Sequence, residues 1–117
     1  MTVCVSMACN NPENGIFAGS APAFDFEAED HRVAVVGGPV AVEFATGAVV
    51  VGGVRCPFTR RQSWVGNYSW EEVDMSLDDA QQLLRRLLEI ACFELDEWDD
   101  GSPFAGLIAA HEARRSA

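Results

Sequence analysis

The amino-acid sequence predicts an α+β domain in which an antiparallel sheet of four to six strands packs against a long C-terminal helix. Short segments rich in valine and aromatic residues follow one another through loops too short for a parallel crossover. Gly66-Asn67 lies between two such segments and is typical of a two-residue hairpin turn. Residues 77–98 then place apolar side chains at helical spacing. The 117 residues are predicted to form one domain, 1–117, which is long enough to bury a core.

The strands are predicted to follow one another as a meander. Residues 2–8 alternate in polarity, and we expect them to form a strand at an edge of the sheet. Further strands are predicted at 32–36, 40–44, 48–51 and 54–58, ahead of the two hairpin strands. The breaks between them are Gly37-Gly38-Pro39, Thr46-Gly47 and Gly52-Gly53, the last of which is predicted as a bulge or bend.

Residues 9–31 have no clear periodicity and are predicted to form a long loop. The segment contains several residues that break regular structure, namely Pro12, Gly15, Gly19 and Pro22. Such long loops in compact domains are often functional or mobile. Residues 24–27 alternate phenylalanine with acidic residues, a pattern that is compatible with a short strand inside the loop.

The Gly66-Asn67 turn fixes a register for the hairpin. The register pairs Val65 with Tyr68, Trp64 with Ser69, Ser63 with Trp70 and Arg61 with Glu72. Because side chains alternate across a sheet, one face collects Phe58, Trp64, Val73 and Met75, and this face is predicted to meet the core. The opposite face then presents an aromatic tip ringed by charge, formed by Val65, Tyr68, Trp70, Arg61, Glu72 and Asp74.

Two helices are predicted after the hairpin. Ser76 is the expected N-cap of the first, with Asp78 and Asp79 in its first turn. Its apolar stripe comprises Leu77, Ala80, Leu84, Leu87, Leu88, Ala91, Leu95 and Trp98, whereas Phe93 lies far from the stripe. The second helix, 104–115, is shorter and places Phe104, Leu107, Ile108 and His111 on one side.

The overall charge and composition narrow the functional classes. A net charge of −10 argues against direct binding to nucleic acid, because phosphates would be repelled. The chain has neither an apolar run long enough for a membrane span nor a start typical of a signal peptide, so a cytoplasmic location is expected. All eight basic residues are arginine, a bias that a GC-rich coding sequence would produce.

The cysteines and histidines do not form a recognisable catalytic or metal-binding motif. Cys4, Cys9, Cys56 and Cys92 include no CxxC pair, and the only histidines are His31 and His111. We therefore predict buried cysteines that act as small apolar residues, with no catalytic residue, no cofactor and no metal. A calcium loop starting at Asp96 fails because its third and twelfth positions are Trp98 and Leu107.

Two surfaces are predicted to bind a partner protein. The first is the hairpin, through Arg61, Trp64, Val65, Tyr68 and Trp70, since aromatic residues beside arginine are typical interface anchors. The second is an acidic group at the predicted end of the long helix: Glu94, Asp96, Glu97, Asp99 and Asp100. Carboxylates at a helix C-terminus are unfavourable, a cost that a cationic partner, a metal or a gain in solubility could offset.

The hairpin and the start of the helix carry one resemblance. Trp64-x-Gly66-Asn67-x-x-Trp70, followed by Asp74-Met75-x-Leu77-x-Asp79-Ala80-x-x-Leu83-Leu84, resembles a pattern in small uncharacterised proteins of actinobacterial phages and their hosts. The resemblance covers about a quarter of the chain. It implies a phage accessory protein or a GC-rich actinobacterial origin, and it brings no activity and no functional residues.

The leading hypothesis is a non-enzymatic protein-interaction module that modulates or inhibits a host protein. Three alternatives stay open. The acidic surface could mimic nucleic acid towards a DNA- or RNA-binding protein. A cleft under the 9–31 loop could bind a small ligand or support catalysis. Finally, an open sheet face or edge strand could be buried in a homodimer.

Overall fold

The chain forms ten strands and two helices in the part that the structure describes. The structure is a computed structural model, and it describes residues 1–10, 16–45, 48–56, 58, 63–65 and 68–116. In chain order the elements are β1 (Thr2–Asn10), β2 (Ile16–Ser20), β3 (Ala23–Ala28), β4 (His31–Gly37), β5 (Val40–Ala45), β6 (Ala48–Val51), β7 (Val54–Cys56), β8 (Ser63–Val65), β9 (Tyr68–Ser76), α1 (Leu77–Leu88), β10 (Phe93–Glu97) and α2 (Ala105–Arg115).

The strands form two antiparallel sheets. One has six strands in the order β10-β4-β3-β1-β9-β8, and the other has four in the order β2-β5-β6-β7. The predicted α+β class and antiparallel pairing are confirmed, but the single meander is wrong. The prediction that β1 lies at an edge is also wrong, because β1 pairs with β3 on one side and with β9 on the other.

The segment predicted as a long loop, 9–31, contains two strands among its described residues. β3 alternates as the Phe-Asp-Phe-Glu pattern suggested, with Phe24 and Phe26 buried between more exposed neighbours. It turns directly into β4 through Glu29 and Asp30, since Ala28 pairs with His31. β2 instead pairs with β5 and belongs to the smaller sheet. The distant pairing of β2 explains why local periodicity alone did not reveal it.

Two predicted turns can be compared with the structure. Gly52-Gly53, predicted as a bulge or bend, is instead the two-residue turn of the β6–β7 hairpin, in which Val51 pairs with Val54. Both glycines have a positive φ angle, a backbone conformation that other residues rarely adopt. The register predicted for the later hairpin is confirmed: Val65 pairs with Tyr68, Trp64 with Ser69 and Ser63 with Trp70. The Gly66-Asn67 turn itself lies outside the described residues. Arg61 does too, so the predicted Arg61–Glu72 pair stays a prediction.

The first helix is much shorter than predicted. Ser76 caps it as expected, because its hydroxyl oxygen accepts a 3.2 Å hydrogen bond from the Asp79 amide. The helix ends at Leu88, however, and Phe93–Glu97 forms β10 against β4. Phe93 is buried in this strand and Leu95 half-buried, whereas Glu94 is exposed. Period-two burial and pairing with β4 therefore override the helical spacing of Ala91, Leu95 and Trp98.

One face of the six-stranded sheet supplies much of the core. Its apolar side chains pack with residues of both helices and of the smaller sheet in one cluster, which includes Val5, Phe26, Val35, Val51, Leu84 and Ile108. Phe26 meets Phe104 edge-on with ring centroids 5.7 Å apart, which attaches the start of α2 to β3. The ring centroids of Phe24 and Phe93 are 6.0 Å apart, and this contact attaches β10 to β3. The predicted second helix and its buried side, with Phe104, Ile108 and His111, are confirmed.

The described helices also bear on membrane insertion. Neither helix in the described part of the chain combines the length and apolar character needed to cross a membrane.

Candidate functional site

The other face of the six-stranded sheet, here called the open face, is largely exposed. Alternation along the strands turns every second side chain away from the core. Cys4 on β1 pairs with Glu27 on β3 and with Asp74 on β9, so these three residues lie in one row across the sheet. Glu27 and Asp74 are exposed and Cys4 is half-buried, in contrast to fully buried Val5 on the next row.

The open face is strongly acidic. Three strands, β3, β9 and β10, bring six carboxylates to this face or its rim: Asp25, Glu27, Glu72, Asp74, Glu94 and Glu97. Arg32 is the one cation that we find on this face among the described residues. Its guanidinium lies 2.7 Å from Asp25 and 3.1 Å from Glu97. Hydrogen bonding to Asp25 and its negative charge raise the pKa of Arg32, so the arginine stays charged and offsets only part of the negative field.

The pKa of the Cys4 thiol responds to the negative charge of this face. Partial burial, with the charges of Glu72, Asp74 and Glu27, raises the pKa of Cys4 from 9.0 to about 11. Burial also raises the pKa of Cys56 to about 12, although the charge of Arg86 opposes the effect. Because the thiolate is the reactive form of cysteine, neither group is set up as a nucleophile at neutral pH. All four cysteines are described, and none forms a disulfide.

Two apolar side chains interrupt the charged rim. Val36 on β4 is 39% exposed, and Trp98, which follows β10, is 38% exposed. Next to Trp98 in sequence, the carboxylate of Asp99 lies 2.9 Å from Nδ1 of His31, which connects the segment after β10 to the start of β4. Tryptophan at the margin of a charged surface is a frequent anchor in protein interfaces.

The predicted acidic group lies on a strand and in the segment after it. Glu94, Asp96 and Glu97 belong to β10, and Asp99 and Asp100 follow it. The placement at a helix C-terminus is therefore wrong, and the dipole penalty inferred from it does not apply. β10 is an edge strand with a register shift between Leu95 and Glu97. Acidic side chains and bulges on edge strands discourage uncontrolled strand pairing, which is the simplest structural explanation for these residues.

The predicted hairpin contact can be placed only by its backbone. Trp64 and Val65 belong to β8, and Tyr68 and Trp70 belong to β9, at the end of the sheet opposite β10. Their side chains and the whole of Arg61 lie outside the described residues. Trp70 pairs with Ala8 on β1, two residues along from the Glu72–Ser6 pair of the open face. The role of these five residues in binding stays a prediction.

Sequence reasoning missed a cleft between β9, β7 and α1. The cleft, here called the arginine cleft, has a volume of about 640 Å³ and is bordered by Arg55 and Arg86. These arginines are 31 positions apart, and no local motif connects them. The cleft predicted under residues 9–31 is a different one, and the described residues of that segment form β2, β3 and their flanks.

The remaining candidates for metal binding or catalysis are few. In the described part of the chain, no three or more His, Cys, Asp or Glu side chains are grouped so as to hold a metal ion. His111 is buried on α2, and its Nε2 atom has no hydrogen-bond partner among the described residues. Comparison of the chain with protein-family models, curated proteins and solved structures found no match.

Proposed function

We propose that this chain is a non-enzymatic protein-interaction module that binds a basic protein through the open face. The observation that carries the proposal is the charge of that face, on which six carboxylates are accompanied by Arg32 alone among the described residues. Complementary charge accelerates encounter and selects among partners. The surface is formed by paired strands, so the backbone positions that carry its carboxylates are set before the partner arrives.

Exposed apolar groups beside the charge support the same proposal. Val36 and Trp98 offer contacts that exclude water at the rim of the open face. The predicted aromatic residues of the hairpin, Tyr68 and Trp70, would extend this rim at the opposite end of the sheet. In this arrangement the partner gains orientation from the carboxylates and much of its affinity from the aromatic anchors.

The resemblance to small uncharacterised proteins of actinobacterial phages and their hosts would extend the proposal to a biological role. A small acidic protein encoded by a phage would act in the host cytoplasm, where it would modulate or inhibit a host protein. The partner would present a basic surface with a pocket for an aromatic side chain. A nucleic-acid-binding host protein has such a basic surface, so mimicry of nucleic-acid charge is one form that the proposed interaction can take.

The decisive test compares two variants of equal charge. The open-face variant combines Glu27→Gln, Glu72→Gln and Asp74→Asn. The control variant combines Glu43→Gln, Glu89→Gln and Glu112→Gln, three exposed residues on β5, after α1 and on α2. Each variant and the wild type are immobilised, and proteins retained from an actinobacterial lysate are measured by quantitative mass spectrometry.

We expect at least one basic protein to be retained by the wild type and by the control variant but lost from the open-face variant. Equal loss from both variants would show that bulk charge alone causes retention, which would refute a specific open face. Trp70→Ala tests the aromatic contribution separately and should abolish capture without unfolding the chain. A salt titration then distinguishes the two forms: a charge mimic releases its partner steeply, and an aromatic-anchored complex resists salt.

A further inference from the structure

The arginine cleft has the dimensions of a small-molecule site and lies away from the open face. It is formed where α1 runs beside the C-terminal part of β9 and close to β7. Its volume of about 640 Å³ falls within the range of known ligand pockets, roughly 300–1,000 Å³. The cleft is on the helix-covered side of the sheet, so a ligand in it would not compete with a protein on the open face.

The floor of the cleft is apolar. Val73 and Met75 turn towards the core side of β9 and are half-buried against the core cluster. Leu83 on α1 is buried and completes this floor. Such a surface favours the apolar body of a ligand, because contact with it removes apolar area from water.

Two arginines border the floor from different elements. Arg55 projects from β7 and Arg86 from the last turn of α1, and both are exposed. The charge of Arg86 acts on the buried Cys56 thiol, which places this guanidinium close to β7 as well. Within the described part of the chain, neither arginine forms an ion pair. In a chain with 18 acidic residues, two such guanidinium groups beside one cleft are unusual.

The acidic residues of the cleft do not cancel this charge. Asp74 also borders the cleft, but strand alternation turns its side chain to the open face, where its charge acts on Cys4. Asp79 does face the cleft, from the first turn of α1. Gln82 adds an amide that can donate a hydrogen bond. The side-chain charges of the cleft therefore sum to a net positive value, opposite in sign to the chain as a whole.

We propose that the arginine cleft binds a small amphiphilic anion, with its oxyanion head held by Arg55 and Arg86 and its apolar body on Val73, Met75 and Leu83. The guanidinium group presents paired N–H donors that match the geometry of carboxylate and phosphate oxygens. Both oxyanions are compatible with the two arginines, and the choice between them is made by experiment.

The test uses three eight-carbon probes with the full chain. Octanoate, octyl phosphate and octanol share an apolar body and differ in the head group. Binding is measured by isothermal titration calorimetry and by amide chemical shifts in two-dimensional NMR spectra. We expect saturable shifts at Val73, Met75 and Leu83 with at least one anion, and a dissociation constant at least tenfold lower than that for octanol. The anion that binds more tightly identifies the head group as carboxylate or phosphate.

Arginine substitutions provide the matched control. Arg55→Gln and Arg86→Gln should each weaken anion binding about tenfold, as expected when one charge-assisted hydrogen bond is lost. Arg85→Gln removes the same charge from the adjacent helix position, but Arg85 borders a separate, smaller cleft. It should leave the affinity unchanged. Absence of saturable shifts, equal binding of octanol, or equal weakening by Arg85→Gln would each overturn the proposal.

Discussion

The two faces of the six-stranded sheet are built from the same strands but have opposite chemistry. Along β3, Phe24 and Phe26 are buried against the core, while Asp25 and Glu27 between and beside them face the other way. Along β1, Val3, Val5 and Met7 are buried, and Cys4 lies half-exposed in the acidic row. Residues one position apart in sequence therefore lie in different environments, one set in the core and the other on the acidic face.

From this difference we expect the core face to contribute most of the stability and the open face to tolerate substitution. Burial of apolar area drives folding, whereas exposed carboxylates contribute little and even repel one another. Among the described residues of the acidic face, Arg32 offsets part of the negative charge through its contacts with Asp25 and Glu97. This concentration of like charge on one face is the observation on which the proposed binding role rests.

The largest expected effect comes from neighbouring substitutions on β3. Phe26→Ala removes a fully buried ring that contacts Phe104, and it should lower the free energy of unfolding by about 3–5 kcal/mol. Glu27→Gln, one position along and exposed, should change it by less than about 0.5 kcal/mol. Urea denaturation followed by circular dichroism measures both. Comparable losses of unfolding free energy in the two variants would show that stability does not depend more on the core face than on the open face.

The second effect concerns Cys56, which is buried where the smaller sheet meets the core. An unfolded thiol ionises near pH 9.0, whereas the folded one has a pKa raised to about 12 by burial. The folded chain thus holds the proton more tightly, so this stability is complete below pH 9 and is lost as pH rises towards 12. Between pH 8 and 10.5 the wild type should lose about 2 kcal/mol more unfolding free energy than Cys56→Val. Equal losses in parallel denaturation series would contradict this assignment.

Local signals predicted the parts of the fold that depend on neighbours in sequence. Ser76 caps α1 and the predicted hairpin register is found, because caps and two-residue turns are set within a few residues. Strand order could not be found in the same way. The polarity pattern of β1 reveals which side chains face the core, but it contains no information on which strands lie beside it.

The second half of the helix predicted over residues 77–98 shows where a local pattern misleads. Ala91, Leu95 and Trp98 continue the helical stripe by spacing alone, but Phe93 lies off that stripe and is buried in β10. A large apolar residue off the stripe, alternating with Glu94 and Asp96, was the available sign of a strand. Pairing with β4 decided the outcome, and such pairing across the chain overrides weak helix propensity.

The candidate sites were predictable to different degrees. Glu72 and Asp74 were assigned to the outward face by alternation, and the structure agrees. The sequence predicts a long loop over 9–31 in which residues 24–27 are compatible with a short strand, but it does not show that this strand lies in one sheet with the acids of β9. The pairing of Arg55 with Arg86 across one cleft depends entirely on tertiary structure. Charge was thus readable from sequence, but its concentration on one face was not.

A smaller effect is expected at His111, the polar exception on the buried side of α2. Its Nε2 atom is buried and has no hydrogen-bond partner in the described part of the chain. An unsatisfied buried polar atom is costly, so His111→Leu should stabilise the chain by about 1 kcal/mol and raise Tm. His111→Gln retains a polar group and should bring no such gain. A lower Tm for the leucine variant in differential scanning calorimetry would indicate that His111 has a partner or role of its own.

The smallest effect tests the electrostatic field of the open face through Cys4. At pH 8 the raised pKa of about 11 leaves about a hundredfold fewer thiolates than a pKa of 9.0 would, so alkylation by iodoacetamide should be slow. Combining Glu72→Gln with Asp74→Asn removes two of the charges that raise the pKa and should accelerate the reaction several-fold. Combining Glu43→Gln with Glu112→Gln changes the net charge equally but away from Cys4, and should leave the rate unchanged. Peptide mass spectrometry resolves Cys4 from Cys92. Equal alkylation rates in the two double variants would mean that the carboxylates of the open face do not raise the pKa of Cys4.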